Sequence, residues 1–565
     1  MDLYEQIREQ HIQDYGSKFE EWAPRILVDQ YSDRTHFIFE LIQNAEDAGA
    51  TCLTFSLYPD RLMLCHNGKP FTESDIRGIC GIRSTKDEPD SGKIGRFGIG
   101  FKSVYAYTKT PAIYSGNYSF MIHNLILPYG ETNIYTGNDT ILILPFDGKV
   151  EPEESYTDIK KALEEYITSD SLFALQNVKS ISCKVFPDEV EWSVSKECNP
   201  IDEIVDSVVL TEKPSGEKKE LLVFHTNDKQ PILIGFSLDD SDSEKQIVKA
   251  KQHYLYVFFP TAVESHLSFY VHVPFSTTPA RDNVRHNEVN RLLAEKLNQL
   301  FAESIKWLLD NHFVTLKFLN DIYPIDDTCK EENLQGIYRT GIKLLNDGMR
   351  LLPTSEGEYC SVSEALLPYT KVVAENITQP ILRSEFGDDV CWIHPDISTE
   401  ANARLRYYLT RLFNIKVLRW RDVLSPLSAE VLEQQTDEWL VHFLDAIYAP
   451  CTSVYKDKVD ARTIPLVRLQ DGTHICSVYG GVAQVYINNP ISCKRKIKDT
   501  ILANQRAHDF YVDALGIEIY DAIQELMLMC HKVTHKKLID NSPLFRKNFK
   551  VEFHGSHTNC VASFA

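Results

Sequence analysis

Apolar residues recur at helical spacing in a few stretches of the chain and alternate with polar ones in many more. Residues 4 to 13 carry a helical pattern, and from Thr35 to Ala48 the residues Phe37, Leu41, Ala45 and Ala48 fall on one stripe. TCLTFSLYPD then reads as a strand leading into LMLCHNG. After a Gly-rich stretch (92 to 100) come apolar strands ending in DTILILPF, a helix near 155 to 167, and VKSISCKVF. From about 187 to 287 strands such as ELLVFHT, PILIGFSL and YLYVFFP dominate, broken by an acidic turn (Asp239, Asp240, Asp242, Glu244) that reads as a solvated loop. Leu292, Leu293, Leu297, Leu300, Phe301, Ile305 and Leu308 mark a long amphipathic helix.

The last 240 or so residues carry a faint duplication. LLPTSEGEYCSV at 351–362 resembles IPLVRLQDGTHICSV at 464–478, each an apolar strand, a Gly turn and a second strand. Later in each copy a helix runs into Asn414 or Gly516 and then a β-branched run. Asn and Gly tolerate the left-handed residue that ends a helix, so both copies are expected to stop their helix by one device. The pattern predicts an α+β chain in three parts: 1–186, a strand-rich α+β middle part at 187–325, and mixed α/β modules, two if the duplication is real, at 326–565.

Composition agrees with a folded chain and narrows its partners. The 565 residues are 43% hydrophobic, 25% charged and 11% aromatic, too long for one domain and ordinary for a globular protein. A formal charge of −21 repels polyphosphate and disfavours a dedicated nucleic-acid binder. The 13 cysteines form no CxxC pair and read as reduced thiols, which points to the cytoplasm. No apolar run approaches the ~18 residues a membrane span requires, and the mixed amino-terminal segment lacks a secretory core.

Candidate chemistry begins on the second helix, FELIQNAEDAGA, where Glu40, Asn44 and Asp47 project from one face opposite the apolar stripe. A carboxylate, an amide oxygen and a second carboxylate suit a hard cation and an activated water, although on spacing alone a solvated helix face is the plainer reading. Downstream, SGKIGRFGIGFKSVY places Gly92, Gly95, Gly98 and Gly100 in a short span, a pattern that lets backbone N–H groups close on an anion. It is neither a Walker A motif nor a dinucleotide fingerprint. At the far end His531, His535, His554, His557 and Cys560 would be enough ligands for zinc, a weaker constellation that lacks an HExxH glutamate and reads more simply as a tail.

Taken together, YSDRTHFIFELIQNAEDA, HNGKPFTESDI, GKIGRFGIGFKSVY and GNDTILILPF resemble, in order, the motifs of the Bergerat-type (GHKL, histidine kinase-like) ATPases, and among these the sacsin-like group. The resemblance implies an α/β sandwich ATPase domain in the first part of the chain. It makes Glu40 the general base on the hydrolytic water, Asn44 the Mg²⁺ ligand, and Asp47 a holder of water or metal. Gly95, Arg96, Phe97, Gly98, Ile99 and Gly100 would supply the lid around the β- and γ-phosphates of ATP, with Phe101 packed behind it and Thr140 near the adenine. Ser84, Thr85 and Lys86 match a lid turn where a cation meets a phosphate, and Lys102 is similar; a solvated loop charge is the plainer reading of Lys86.

One departure stands out. Related chaperones and gyrases carry DxGxG in the second box, with an Asp that accepts the adenine amino proton, where this chain reads His66-Asn67-Gly68-Lys69-Pro70. The Asn67 amide oxygen, or a neutral His66 nitrogen acting as acceptor, is the expected substitute. FSTTPARDNVRHNEVNRLL further resembles a middle-domain loop of the heat-shock chaperone, so Arg281 is expected to reach the γ-phosphate, with an ion pair to Asp282 as the alternative. The resemblance as a whole implies a Mg²⁺-dependent ATPase with chaperone-like clamp activity on a protein client and a homodimer. The alternatives are a nucleotide-gated scaffold with little turnover in defence or signalling and, further off, a MutL-like protein.

Overall fold

In the computed structural model of the chain, the described residues are 2–15, 34–81, 100–135, 137–239, 245–251, 254–278, 281–326, 329–453, 459–488 and 495–520. The chain is a mixed α+β protein that divides into two compact units, Met1–Ala365 with Ile393–Lys416, and Leu366–Trp392 with Val417–Ala565.

The first unit is organised by one large mixed sheet. Its early elements are helix α1 (Leu3–Tyr15), helix α2 (Phe37–Asp47), strands β1 (Cys52–Tyr58) and β2 (Arg61–His66), and helix α3 (Glu73–Cys80). Strands β3 (Ala112–Ser115), β4 (Tyr118–His123), β5 (Leu127–Gly130) and β6 (Thr140–Pro145), helix α4 (Pro152–Tyr166) and strand β7 (Ser180–Val185) follow. Their order is β7-β1-β2-β6-β3-β4-β5, antiparallel except for the parallel pair β1–β7. Burial alternates along β2, β6 and β7, so one sheet face is covered and the other is half-open. The α2 stripe seals part of the covered face: Phe37, Ile38, Leu41, Ile42 and Ala45 are all buried, as the 3.6-residue period requires. Ala48, expected on that stripe, is only half-buried because the helix ends at Asp47 and Gly49 turns left-handed at φ 71°.

The boundary expected near residue 186 falls in the turn of a hairpin. β7 pairs with β8 (Val190–Asp202) from Ser180↔Ser195 to Val185↔Val190, so the sheet passes through it without interruption. It continues through β9 (Val205–Lys213), β10 (Lys218–His225), β11 (Leu233–Asp239, with β12 Gln246–Val248 beside it), β15 (Tyr270–His272), β13 (Tyr254–Val257) and β14 (Phe259–Glu264). The long amphipathic helix is α5, Glu288–Asp310, capped by Asn287, with Leu297, Leu300, Phe301, Ile305 and Leu308 buried.

The duplicated pattern recurs as local structure, one copy in each unit. In the first unit the hairpin pairs Leu352 with Cys360 around Gly357 at φ 82°, and Thr354 bridges Ile393. In the second, Val467 pairs with Ile475 around Gly472 at φ 91°, and Leu469 bridges Ile497. The helices Ala403–Arg411 and Gln505–Asp513 are each followed by a left-handed residue, Asn414 at φ 53° and Gly516 at φ 63°. The second unit has its own core, in which Leu440, Phe443, Leu444 and Ile447 meet Leu466, Phe510 and Tyr511.

Candidate functional site

The polar face of α2 is where the sequence places the chemistry. With five apolar side chains turned inward, the same period turns Glu40, Asn44 and Asp47 outward: Asn44 is exposed, Glu40 and Asp47 half-buried. The Glu40 carboxylate faces Gly100, the first residue of a 3₁₀ segment, Gly100–Ala106. A Cβ on Gly100 would stand 1.9 Å from Glu40 Oε2, so only glycine lets that backbone lie against the carboxylate. Ser103 Oγ donates to the Gly100 carbonyl at 2.5 Å and holds the turn. His36 brings Nδ1 to 3.9 Å from Glu40 Oε1, one helical turn back, which sequence reasoning did not single out.

Glu46, also passed over, has a different task. It is 3% exposed, and its carboxylate accepts the backbone N–H groups of Gln176, Asn177 and Val178, each at 2.8 Å. It therefore fastens α2 to the segment entering β7. The signal was present: Ile38, Ile42 and Glu46 stand four apart, which puts a carboxylate on the apolar stripe, where it needs partners.

At the end of β2 the structure corrects two expected roles. Asn67 Oδ1 accepts the N–H groups of Thr51 and Cys52 at 2.8 and 3.0 Å while its Nδ2 donates to Thr51 Oγ1 at 2.7 Å, so the amide is engaged in pinning the start of β1. His66 is 4% exposed and its Nδ1 accepts the Gly68 N–H at 3.2 Å. Burial holds its pKa down to about 4, partly offset by Asp139, so the ring is neutral and the nitrogen expected as acceptor is already used. Gly68 makes this turn possible, since a Cβ there would meet the Ala48 Cβ at 2.9 Å. Across the sheet His66, Thr140 and Ser115 are register partners on β2, β6 and β3. The Thr140 and Ser115 hydroxyls lie 2.5 Å apart and both residues are buried; Ser115 Oγ also accepts the Phe71 N–H at 2.9 Å. Ser115 had no sequence signal beyond its place in a strand.

Lys102 is a third correction. Expected as a cation for phosphate, its ammonium at 1% exposure donates instead to the carbonyls of Ile79 and Leu125, both at 2.6 Å. Burial lowers its pKa to about 8, with the nearby Cys80 thiol pulling the other way. Phe101 is buried beside it. Ser84, Thr85, Lys86, Gly95, Arg96, Phe97, Gly98 and Ile99 lie outside the described residues, as do the five zinc candidates near the carboxy terminus. Among the described residues no three His, Cys, Asp or Glu side chains converge on a metal position, and no helix is long and apolar enough to cross a membrane.

Arg281 comes from the other end of the sheet, yet its surroundings reach α2. The guanidinium donates to the Val257 carbonyl at 3.1 Å and lies 5.8 Å from the centre of the Phe259 ring. Phe259 packs on Phe39, the neighbour of Glu40, with ring centres 4.6 Å apart. Arg281 has φ 54°, a left-handed conformation that costs a side-chain-bearing residue ~1 kcal/mol or more. Asp282, the expected alternative partner, accepts from the Thr278 hydroxyl at 2.5 Å.

Comparison with known proteins falls on this same region. A family model described as the sacsin domain matches residues 24–139, which contain α2, β1, β2, α3 and the 3₁₀ segment. Human sacsin is 37% identical over 123 residues, 18% of this chain and 3% of sacsin. Protein NO VEIN of Arabidopsis thaliana is 23% identical over 331 residues, 49% of this chain and 11% of that protein. The chain thus spans a small fraction of the length of either relative. Among solved structures, the N-terminal domain of a DNA repair protein matches with a TM-score of 0.31 and 9% identity, covering 51% of this chain and 97% of that one. The similarities to sacsin and NO VEIN support a sacsin-like chain.

Proposed function

We propose that the first unit houses a Bergerat-type nucleotide site at which the chain binds Mg·ATP and hydrolyses it to ADP and phosphate. The observation that carries this reading is the Glu40 carboxylate lying against Gly100, on the helix face that also bears Asn44 and Asp47. It is supported by the sacsin domain match over the same residues and by the likeness of four ordered motifs to that ATPase group.

The residues fit the group they would hold. A carboxylate and an amide oxygen are hard donors that suit Mg²⁺, and the glycine at 100 lets the backbone N–H and C=O groups of the 3₁₀ segment come close to the carboxylate. Asn44 would hold the cation, whose contribution when bound is to neutralise phosphate charge. Glu40 would take the proton of the attacking water, a role worth ~10²-fold or more in rate. Arg281 would leave the Val257 carbonyl and, with its charge delocalised, stabilise charge on the transferred phosphoryl oxygens. Carried over the whole protein, the cycle would drive a chaperone-like clamp on a protein client, with a homodimer as the working form.

A specific observation favours a second reading, a nucleotide-gated scaffold that scarcely turns over. Arg281 donates to a backbone carbonyl and Lys102 donates to two more, so both cations already hold protein partners. Glu40→Gln separates the two. Under single-turnover conditions the hydrolytic reading expects phosphate release to fall by ~10²-fold or more with affinity for Mg·ATP retained within about threefold. Equal release by wild type and variant removes Glu40 from the chemistry and leaves the scaffold.

A further inference from the structure

The base-binding end of the proposed site holds a histidine whose hydrogen-bond donor is fixed on one ring nitrogen. His66 makes its hydrogen bond through Nδ1, to the Gly68 N–H at 3.2 Å. A backbone amide can only donate, so Nδ1 is the ring's lone-pair nitrogen, and a neutral ring must then carry its proton on Nε2. Neutrality follows from burial, which holds the pKa at about 4. Among the described residues Nε2–H meets no acceptor, on a side chain whose residue is 4% exposed. The small surface the residue keeps leaves Nε2–H within reach of water, and so of a ligand acceptor that replaces that water.

The neighbouring groups do not take that proton. Asn67, one residue on, has its oxygen committed to two backbone N–H groups. The paired Thr140 and Ser115 hydroxyls hold two protons and spend one on each other, which leaves one O–H over, together with oxygen lone pairs. Asp139 is exposed and stands with Cys65, Sγ to Oδ2 at 4.0 Å; Cys65 and His66 are consecutive in a strand, so their side chains take opposite faces. Of these neighbours, neither Asn67 nor the hydroxyl pair is an acceptor-only group on the His66 face at this end of β2.

We propose that His66 reads the nucleotide base by donating its Nε2–H to an acceptor on the ring, so that the site admits 6-keto purine nucleoside triphosphates as readily as ATP. This rests on the nucleotide-site reading above and narrows its substrate class. Adenine offers N1 and a 6-keto purine offers O6 as the acceptor; an adenine 6-amino group, being a donor, gives His66 nothing. The ambidextrous Thr140 hydroxyl can meet either the amino group of adenine or the ring N–H of the keto base. A site built around an acceptor for the 6-amino group would instead reject the keto analogue by a factor on the order of 10⁴.

Inosine triphosphate is the cleanest probe, because it differs from ATP only at the 6-position and the adjacent ring nitrogen. Isothermal titration of the full chain with Mg·ATP and with Mg·ITP should give a Kd for ITP within about tenfold of that for ATP, or lower. A preference for ATP of more than about tenfold in the wild type overturns the proposal. His66→Asp replaces the donor by an acceptor and should move the ITP-to-ATP ratio of Kd values toward ATP by about tenfold or more; an unchanged ratio overturns it as well. Should that variant fail to fold, His66→Asn, which offers an uncharged oxygen, tests the same direction. The absence of heat with both nucleotides from a folded wild-type chain is a separate result, and it overturns the nucleotide-site reading itself.

Discussion

Replacing Glu46 by alanine tests the structural half of the α2 motif without reference to nucleotide. The carboxylate accepts three backbone N–H groups, those of Gln176 and Asn177 on Oε1 and that of Val178 on Oε2, plus the Asn177 side-chain amide at 3.2 Å. Val178 is fully buried, so its N–H loses its acceptor outright, a cost of ~2 kcal/mol. Gln176 and Asn177 are exposed residues whose N–H groups can recover water in part, at ~0.5–1 kcal/mol each. The sum is about 3–4 kcal/mol, a large part of the ~5–15 kcal/mol that holds a typical domain. Glu46→Gln keeps one oxygen for two of the N–H groups and turns its own NH₂ toward the third, so it should lose about 1–2 kcal/mol. Urea unfolding followed by circular dichroism, with hydrogen exchange at 176–178 as the local readout, measures both. A loss below about 1 kcal/mol for the alanine variant, or an alanine variant no worse than glutamine, would refute the clamp.

Three further outcomes follow from named contacts. Gly100→Ala puts a Cβ where Glu40 Oε2 now lies 1.9 Å away, so the carboxylate must move by about 1 Å; turnover should fall by ~10²-fold with folding stability nearly unchanged, and retention of turnover within a few-fold contradicts the placement of the base. Lys102 and Lys196 have burial-lowered pKa values of about 8 against 10.5 in the unfolded chain, so between those values the unfolded state binds more protons and stability rises with pH, by up to ~1.4 kcal/mol per unit for each. Buried thiols such as Cys80, raised from 9.0 to about 12, act in the opposite direction above 9.0, so urea midpoints compared between about pH 8 and 9 isolate the lysines, and a fall in that window is the contrary result. In the second unit, Arg468 bonds the Asp437 carboxylate at 2.7 Å, His474 Nε2 at 2.9 Å and the carbonyls of Leu432 and Gln435 at 2.8 and 2.6 Å; Arg468→Ala should cost about 3–5 kcal/mol by hydrogen exchange in that unit, and a loss under about 1 kcal/mol would show that water replaces the guanidinium.

Periodicity alone located α2, α4 and α5 within a few residues, because each buries one stripe and the 3.6-residue repeat is written directly in the chain. The same repeat put Glu40, Asn44 and Asp47 on one face. The left-handed stops at Asn414 and Gly516 were likewise legible, since they depend on a single residue's φ preference. What the sequence determined, in short, were properties of one residue or of one segment seen edge-on.

Only the assembled sheet decided the rest. No local pattern tells that β7 and β8 join across residue 186 into one sheet, because strand pairing is a contact between distant segments. Lys102, Asn67 and His66 look alike from the sequence, as polar residues within two positions of a glycine. Their roles were settled by which backbone groups the fold leaves without partners: the carbonyls of Ile79 and Leu125, the N–H groups of Thr51 and Cys52, and the N–H of Gly68. A buried backbone group must find a partner, and the nearest polar side chain is conscripted to it. That demand exists only once the segments are packed together.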